Sequence, residues 1–361
     1  MKQLFNNVYQ GKRVLLTGHT GFKGSWLYVW LQQLGAQVQG LALAPDTHPA
    51  HIELLNLYDE TTIGNIIYSE NVAAVFNSFQ PDIVFHLAAQ PLVRYSYQNP
   101  VATFQTNVIG TANVLEAARN TASVKAIVNI TTDKVYENFE WGQAYKETDR
   151  LGGHDPYSTS KACAELVHES YRKSFLKQAN ILSATARAGN VIGGGDWAAD
   201  RLIPDIIRAS TKSTITEIRN PDSVRPWQHV LDPLSGYLQL GMQLLQGNTE
   251  MEGSWNFGPA LKDCISVRDV LNEMNNSWGA IQWKDVSLGE KVHEANLLRL
   301  DSTKAKEQLK WQPIWNVQQA LNATANWYKA YYNNKELITA QQLEQFIEDA
   351  QAKNADWATT S

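Results

Sequence analysis

Tyr157 and Lys161 stand four residues apart, the spacing that puts two side chains on one face of a helix. An ammonium group beside a phenol favours the phenolate and draws the tyrosine pKa down toward working pH. Such a pair can take a proton from an alcohol or sugar hydroxyl while hydride leaves for a nicotinamide. With 14 tyrosines in 361 residues, a surface tyrosine and a solvated lysine also meet this spacing by chance. Two upstream segments give the pair a context. Gly18-His19-Thr20-Gly21-Phe22-Lys23-Gly24 follows the apolar run Val14-Leu15-Leu16, and the strand-like run Ala126-Ile127-Val128-Asn129-Ile130 ends in Thr131-Thr132-Asp133.

Each glycine of the first segment has a distinct use. Gly18 suits a tight turn after a strand, Gly21 lets backbone approach a pyrophosphate, and Gly24 lets the following helix pack closely on the sheet. The helix N-terminus then offers free N–H groups and the positive end of its dipole to phosphates. An ordinary glycine-rich loop shares the pattern, but the strand before it and the helix after it point to nucleotide binding. An acid that holds the adenosine ribose is expected about 20 residues on. The strand end Leu41-Ala42-Leu43-Ala44-Pro45 has none; Asp46 comes a few residues late, and no Arg stands nearby to take a 2′-phosphate. NAD is therefore expected in preference to NADP.

The elements that must position these residues alternate along the first half. Strands are predicted at 13–17, 37–43, 82–88, 125–131 and 181–186, and helices at 25–34 (closed by Gly35), 70–79, 101–120 and 157–176. This pattern predicts an α/β fold, a Rossmann-type doubly wound parallel sheet with helices on both faces. After Ala188 the texture changes to loops punctuated by Pro204, Pro221, Pro226 and Pro233, as in a smaller mixed α/β substrate-binding domain. The division expected is 1–187, with 231–258 returning to it, for the NAD-binding domain, and 188–230 with 259–361 for the substrate domain and C-terminal helices. The stretch from Asn316 onward reads as polar helix covering a surface and fraying at its end.

Composition excludes several classes. Net charge is −5 with no acidic or basic block, which argues against a nucleic-acid or membrane surface. The N-terminus lacks the apolar core of a signal peptide, and no apolar run approaches the roughly 20 residues of a membrane span. The two cysteines, Cys163 and Cys264, make no disulfide framework and fit a reducing cytoplasm. Cys163 reads as a small helix-packing residue, since no His is placed to activate it. The eight histidines are scattered, and His168-Glu169 lacks the second His of a zinc helix, so no metal is expected.

The chain resembles the extended short-chain dehydrogenases/reductases that act on nucleotide sugars. The resemblance rests on Gly-x-x-Gly-x-x-Gly after the first strand, His86-Leu87-Ala88-Ala89, Asn107-Val108-Ile109-Gly110-Thr111 and Tyr157-x-x-x-Lys161, and it spans nearly the whole chain. It implies NAD as cofactor, with Thr20, Phe22, Ala88 and Ala89 joining Gly18, Gly21, Gly24, Tyr157 and Lys161 around it. Within the family, sugar 4-epimerases have Ser-Ser-Ala at the strand end, and 4,6-dehydratases have Ser/Thr-Thr-Asp-Glu-Val-Tyr. Thr131-Thr132-Asp133-Lys134-Val135-Tyr136 resembles the second. By that resemblance Asp133 protonates a departing 6-hydroxyl and Thr132 hydrogen-bonds the 4-oxygen. Lys134 stands where those enzymes place a Glu as base for the C5 proton. Asp133–Asn138 and Arg225–Val230 resemble the branch that acts on CDP-glucose, which makes deoxysugars for O-antigen lipopolysaccharide.

A nucleoside diphosphate needs cations, and Arg forks suit phosphate oxygens. Arg201 and Arg225 are the candidates, joined by resemblance by Asn190, Arg219 and His229; any one Arg is equally readable as a solvated surface charge. Trp197 and Trp227 stay open between core and ligand face. Relatives pair two helices across a two-fold axis in a four-helix bundle. Apolar residues beyond a single stripe on 101–120 (Val108, Val114, Leu115) and 157–176 (Leu166, Val167, Tyr171) are expected to form such a homodimer, the alternative being that both helices simply pack on the sheet, for which one amphipathic face suffices. Two alternatives remain: a 4-epimerase or sugar reductase on the same fold, against the first of which Asp133 speaks, and a non-enzymatic dinucleotide sensor, which would not need Tyr157 and Lys161 together.

Overall fold

Short β-branched and apolar runs bounded by turns build the centre of the molecule, whose computed structural model describes residues 4–58, 62–279, 281–287 and 297–359. Six strands come from the first half: β1 (Arg13–Thr17), β2 (Gln37–Ala42), β3 (Thr62–Ile63), β4 (Ile83–His86), β5 (Ala126–Ile130) and β6 (Leu182–Ala188). The seventh, β7 (Gly253–Phe257), arrives late in the chain. All pair in parallel in the order β7-β6-β5-β4-β1-β2-β3. The order reverses between β1 and β4, and a ligand crevice forms outside the carboxyl ends of the strands at such a point.

Period-two alternation divides the core. Val14, Leu16, Ile83, Phe85 and Val128 face α1 (Phe22–Gln33) and its Trp26, Leu27 and Trp30. Leu15, Val84 and Ile127 face α2 (Ser69–Phe79) and α3 (Gly110–Arg119) on the other side. The predicted helix at 101–120 is Pro100–Phe104, a π turn at Gln105–Ile109, and α3. Next to it lies α4 (Pro156–Tyr171), prolonged by a π turn at Arg172–Leu176.

The helix face assigned to dimerisation needs a correction. Val114 and Leu115 are fully buried against the sheet, and Val167 and Tyr171 pack at the edge of the same cluster. The open apolar residues on these helices are Val101, Ile109, Leu166 and Phe175.

Beyond β6 lie α5 (Leu202–Thr211), α6 (Leu231–Leu245) and α7 (Val267–Trp278), together with three two-stranded pairs. α6 returns to pack on β5 and β6. The chain ends in α8 (Val317–Lys329), a π turn at Ala330–Asn334, and α9 (Thr339–Ala352). This end does not fray as a surface cover. Trp327, Tyr328, Leu343, Phe346 and Trp357 are buried in the main core, and Trp357 stacks on Phe5 at 5.0 Å. Polar residues fill the outer faces of α8 and α9, and the apolar stripe beneath is narrow but aromatic.

Candidate active site

A cleft of about 590 Å³ opens at the switch point. Gly18 leaves β1 with φ +75°, and a Cβ there would come within 2.6 Å of the Ala88 nitrogen. A Cβ on Gly24 would meet the Gly18 carbonyl at 2.1 Å, so only glycine allows α1 to start this close to the sheet. Gly21 differs: its Cβ position is 3.5 Å from the nearest atom, the Gly18 oxygen, and its open side faces the cleft. Gly21 is also the N-cap of α1 and offers no side-chain cap, which leaves first-turn N–H groups for a ligand. Gly18, Thr20, Gly21, Phe22, Gly24, Ala88 and Ala89 all line the cleft. The cradle fits a dinucleotide pyrophosphate. At the end of β2 the Thr20 hydroxyl donates to the Leu43 carbonyl at 2.9 Å, and Asp46 sits at the cleft wall beyond it.

Buried polar contacts fix the crevice walls. Thr17 Oγ1 and His86 Nδ1 lie 2.7 Å apart, His86 Nε2 and Thr111 Oγ1 3.1 Å, and the Ala88 N–H donates to Thr17 Oγ1. Asn107, inside the π turn, accepts from the Gln90 N–H at 2.8 Å and donates to the Ser160 hydroxyl at 2.8 Å. One side chain thus ties the loop after β4 to the helix that carries Tyr157; π turns are often found at functional sites.

Thr132, Asp133, Lys134, Tyr157 and Lys161 line the same cleft. The Thr132 hydroxyl donates to Asp133 Oδ1 at 3.0 Å, and Tyr157 lies in the same cleft. Burial raises the Asp133 pKa, against the pull of Lys134, the Thr132 hydrogen bond, Arg225 and Lys23, and Asp133 Oδ2 is a buried oxygen with no partner among the described residues. A carboxyl held this way keeps its proton to higher pH than a solvated one. Burial pushes the Tyr157 phenol up to about 12 and the Lys161 ammonium down to about 8. The expectation that Lys161 would draw the phenol down is not met, because burial dominates and the charge that opposes it is that of Arg201. Lys161 donates to the Ile130 carbonyl at 3.1 Å, and Lys134 lies 6.0 Å from the Tyr157 ring centre.

Sequence reasoning missed Glu165, Arg187 and Lys23. Glu165, one turn beyond Lys161 on α4, accepts from Thr131 (2.5 Å) and Thr185 (2.6 Å) and from Arg187 Nε and Nη2 (2.9 and 3.0 Å). Burial alone would raise this carboxyl, but the Arg187 charge and these hydrogen bonds hold it at about 2. The pair bolts α4 to the ends of β5 and β6. A charged residue inside the strand Ala184-Thr185-Ala186-Arg187-Ala188 was the available signal. Lys23 lines the cleft, and burial, followed by the Arg201 charge, lowers its pKa to about 8. A lysine in the first turn of a helix, where it opposes the dipole, was the signal there.

On the substrate side Asn190, Arg201 and Arg225 line the cleft, and so do Trp197 and Trp227, both nearly buried. Arg201 pairs with the buried Asp196 at 2.9 Å. Two assignments are corrected. His229 is fully buried, with its ring centre 4.7 Å from that of Trp315; its short strand, paired with Val191–Ile192, turns it into the core. Arg219 follows the strand Thr216–Ile218 and lies outside the cleft lining.

The sequence matches the GDP-mannose 4,6 dehydratase family over residues 15–324. It is 46% identical over 345 residues to a CDP-glucose 4,6-dehydratase of Salmonella typhimurium, covering 94% of this chain and 96% of the relative. Among solved structures, a dTDP-glucose 4,6-dehydratase of Bacillus anthracis in complex with NAD superposes with TM-score 0.72 at 21% identity, covering 90% of this chain and 98% of that one. A UDP-glucose 4-epimerase of Thermotoga maritima with UDP-glucose gives TM-score 0.74 at 22% identity, covering 90% and 100%. At these identities the two structures speak for the fold alone.

Proposed function

The chain belongs to the GDP-mannose 4,6 dehydratase family, and from that premise we propose that it converts CDP-D-glucose, with NAD, to the CDP-linked 4-keto-6-deoxy sugar. One observation carries the choice of dehydration over 4-epimerisation: Asp133, its pKa raised by burial, stands at the end of β5 beside Thr132 and Tyr157. An epimerase needs no acid there, whereas elimination of water needs a proton for the leaving hydroxyl.

Gly18, Gly21, Gly24 and the N-terminus of α1 hold the cofactor pyrophosphate. Bound NAD supplies a reversible hydride store, which allows oxidation at C4 and reduction at C6 with no net redox change. Tyr157 accepts the proton of the 4-hydroxyl while Thr132 hydrogen-bonds the 4-oxygen. A phenol at about 12 must first release its own proton to become the base, and Arg201 and the positive charge of bound NAD would favour that phenolate. The 4-ketone acidifies C5, and Lys134 stands at the position of the Glu that takes the C5 proton in related 4,6-dehydratases. Asp133 delivers its proton to the 6-oxygen, and water departs. Asn190, Arg201 and Arg225 receive the diphosphate. Residues 1–187 with 231–258 serve the cofactor, and 188–230 with 259–361 supply the smaller substrate-binding domain and the C-terminal helices.

The same reading extends to assembly and place. Val101, Ile109, Leu166 and Phe175 are exposed apolar residues on α4, its π-turn extension and the Pro100–Arg119 segment, suited to an isologous homodimer through a four-helix bundle. Both cysteines are free, in keeping with the cytoplasm, and no described helix is long and apolar enough to cross a membrane. The product is a precursor for deoxysugars such as those of O-antigen lipopolysaccharide. Incubation with NAD and CDP-, UDP-, GDP- or dTDP-glucose tests the substrate. The alkaline absorbance of a 4-keto-6-deoxy sugar should appear with CDP-glucose, and its absence there would overturn the assignment.

A further inference from the structure

The family match stops at residue 324, yet the helical segment beyond it grips the loop that carries Arg201. The Trp327 ring occupies the space left by the missing side chain of Gly194, where a Cβ would come within 2.0 Å. The Trp197 ring meets Trp327, Tyr328 and Tyr331 with ring centres 5.7, 6.0 and 5.3 Å away. Two hydrogen bonds fix the backbone and the indole of this loop: Tyr328 Oη donates to the Asp196 carbonyl at 2.5 Å, and Trp197 Nε1 donates to Tyr332 Oη at 3.2 Å. Asp196 in turn accepts from the Ala198 N–H through Oδ1 (3.1 Å) and from Arg201 through Oδ2 (2.9 Å). An unbroken set of contacts therefore runs from α8 and its π turn to a guanidinium in the cleft.

The other end of the same helix pair is anchored to the cofactor helix. Thr339 Oγ1 meets both Trp327 Nε1 (3.0 Å) and His51 Nε2 (2.9 Å), and His51 Nδ1 lies 2.8 Å from the Ser25 hydroxyl in the first turn of α1. The clamp thus has a rigid base, and its free face is the loop. Nothing in its chemistry touches the reacting atoms; its effect falls on where Arg201 stands. We infer that Tyr328 and Tyr332 are positioning residues that set Arg201 against the diphosphate of the nucleotide sugar and so determine substrate affinity.

The inference rests on the substrate reading above, and a double-mutant cycle separates the two. Tyr328→Phe deletes one hydroxyl and keeps the ring. It should raise the Kd for CDP, measured by calorimetry, and the KM for CDP-glucose by roughly two- to tenfold, the loss of one neutral hydrogen bond, with kcat unchanged. In an Arg201→Ala background the same substitution should add nothing, because it acts through Arg201. An unchanged Kd for CDP, a fall in kcat alone, or equal penalties in the two backgrounds would overturn the clamp. If Tyr328→Phe does not fold, Tyr332→Phe on the half-buried side of the clamp runs the same cycle. A wild-type enzyme that binds no CDP would contradict the substrate reading instead, and the cycle with UDP then decides the clamp.

Discussion

Glu165→Gln isolates the buried bolt between α4 and the sheet. Both side chains of the Glu165–Arg187 pair are almost without solvent contact, at 3% and 2% exposure. The amide keeps the shape and one acceptor oxygen, but it turns an NH₂ toward groups that donate and leaves the guanidinium buried without its counter-charge. Removing one member of a buried pair costs about 3–5 kcal/mol. At about 2.1 cal/mol/K per residue, the 361 residues give an unfolding entropy of about 0.76 kcal/mol/K, so Tm should fall by about 4–7 °C. The double variant Glu165→Leu with Arg187→Met removes both charges and should recover most of the loss, since apolar replacement of a whole pair is often neutral. The acid limb gives a second reading. The folded carboxyl lies at about 2, below its ordinary value of 4.5. Its contribution is therefore complete above the ordinary value and fades as pH drops toward the folded one. The Tm gap between wild type and Glu165→Gln should narrow across that window. Thermal melts followed by circular dichroism measure all of this. A single variant that melts with the wild type, or a double variant less stable than the single, would refute the reasoning.

Three further outcomes follow from the site and the surface. Tyr157→Phe should abolish oxidation, whereas Asp133→Asn should spare it and stall elimination, so that single-turnover mixing shows reduced-nicotinamide absorbance building up; equal loss of that signal in both variants would contradict the division of roles. Burial lowers the Lys161 ammonium to about 8, so kcat at saturating NAD should decline as pH rises past that value, and a flat alkaline limb would deny Lys161 a role as a cation. Leu166→Glu, on a side chain 59% exposed, should convert a dimer of about twice 40.5 kDa to a folded monomer in sedimentation, whereas Leu115→Glu, at 1% exposure, should abolish folding; a wild-type monomer with full activity would rule out the dimer.

What was legible beforehand follows from how local each signal is. Gly18, Gly21 and Gly24 answer to backbone geometry within one turn, and Tyr157 and Lys161 to helical spacing, so both were readable without knowing the fold. Glu165 was not, because its donors arrive from β6 and the residue after β5 and meet it only after the sheet assembles. His229 was misplaced for a related reason. A two-residue strand has too little periodicity to say which face is inward, and its pairing with Val191–Ile192 decides the matter. Val114 and Leu115 were read as a second apolar stripe although they belong to the stripe that packs on the sheet. At the C-terminus, polar residues surround Trp327, Tyr328, Phe346 and Trp357 in the sequence, and all four aromatic rings are buried. The Tyr157 pKa fell outside sequence reasoning because desolvation depends on the whole cleft and not on the neighbour one turn away.

The central claim is that a single site oxidises C4, expels water across C5 and C6, and reduces C6 with the same hydrogen. CDP-glucose carrying deuterium at C4 tests it most directly. After turnover with unlabelled NAD, mass spectrometry and proton NMR of the product should find the deuterium at C6, with no net reduced cofactor. Deuterium lost to solvent, or reduced cofactor accumulating in step with substrate consumed, would contradict the account.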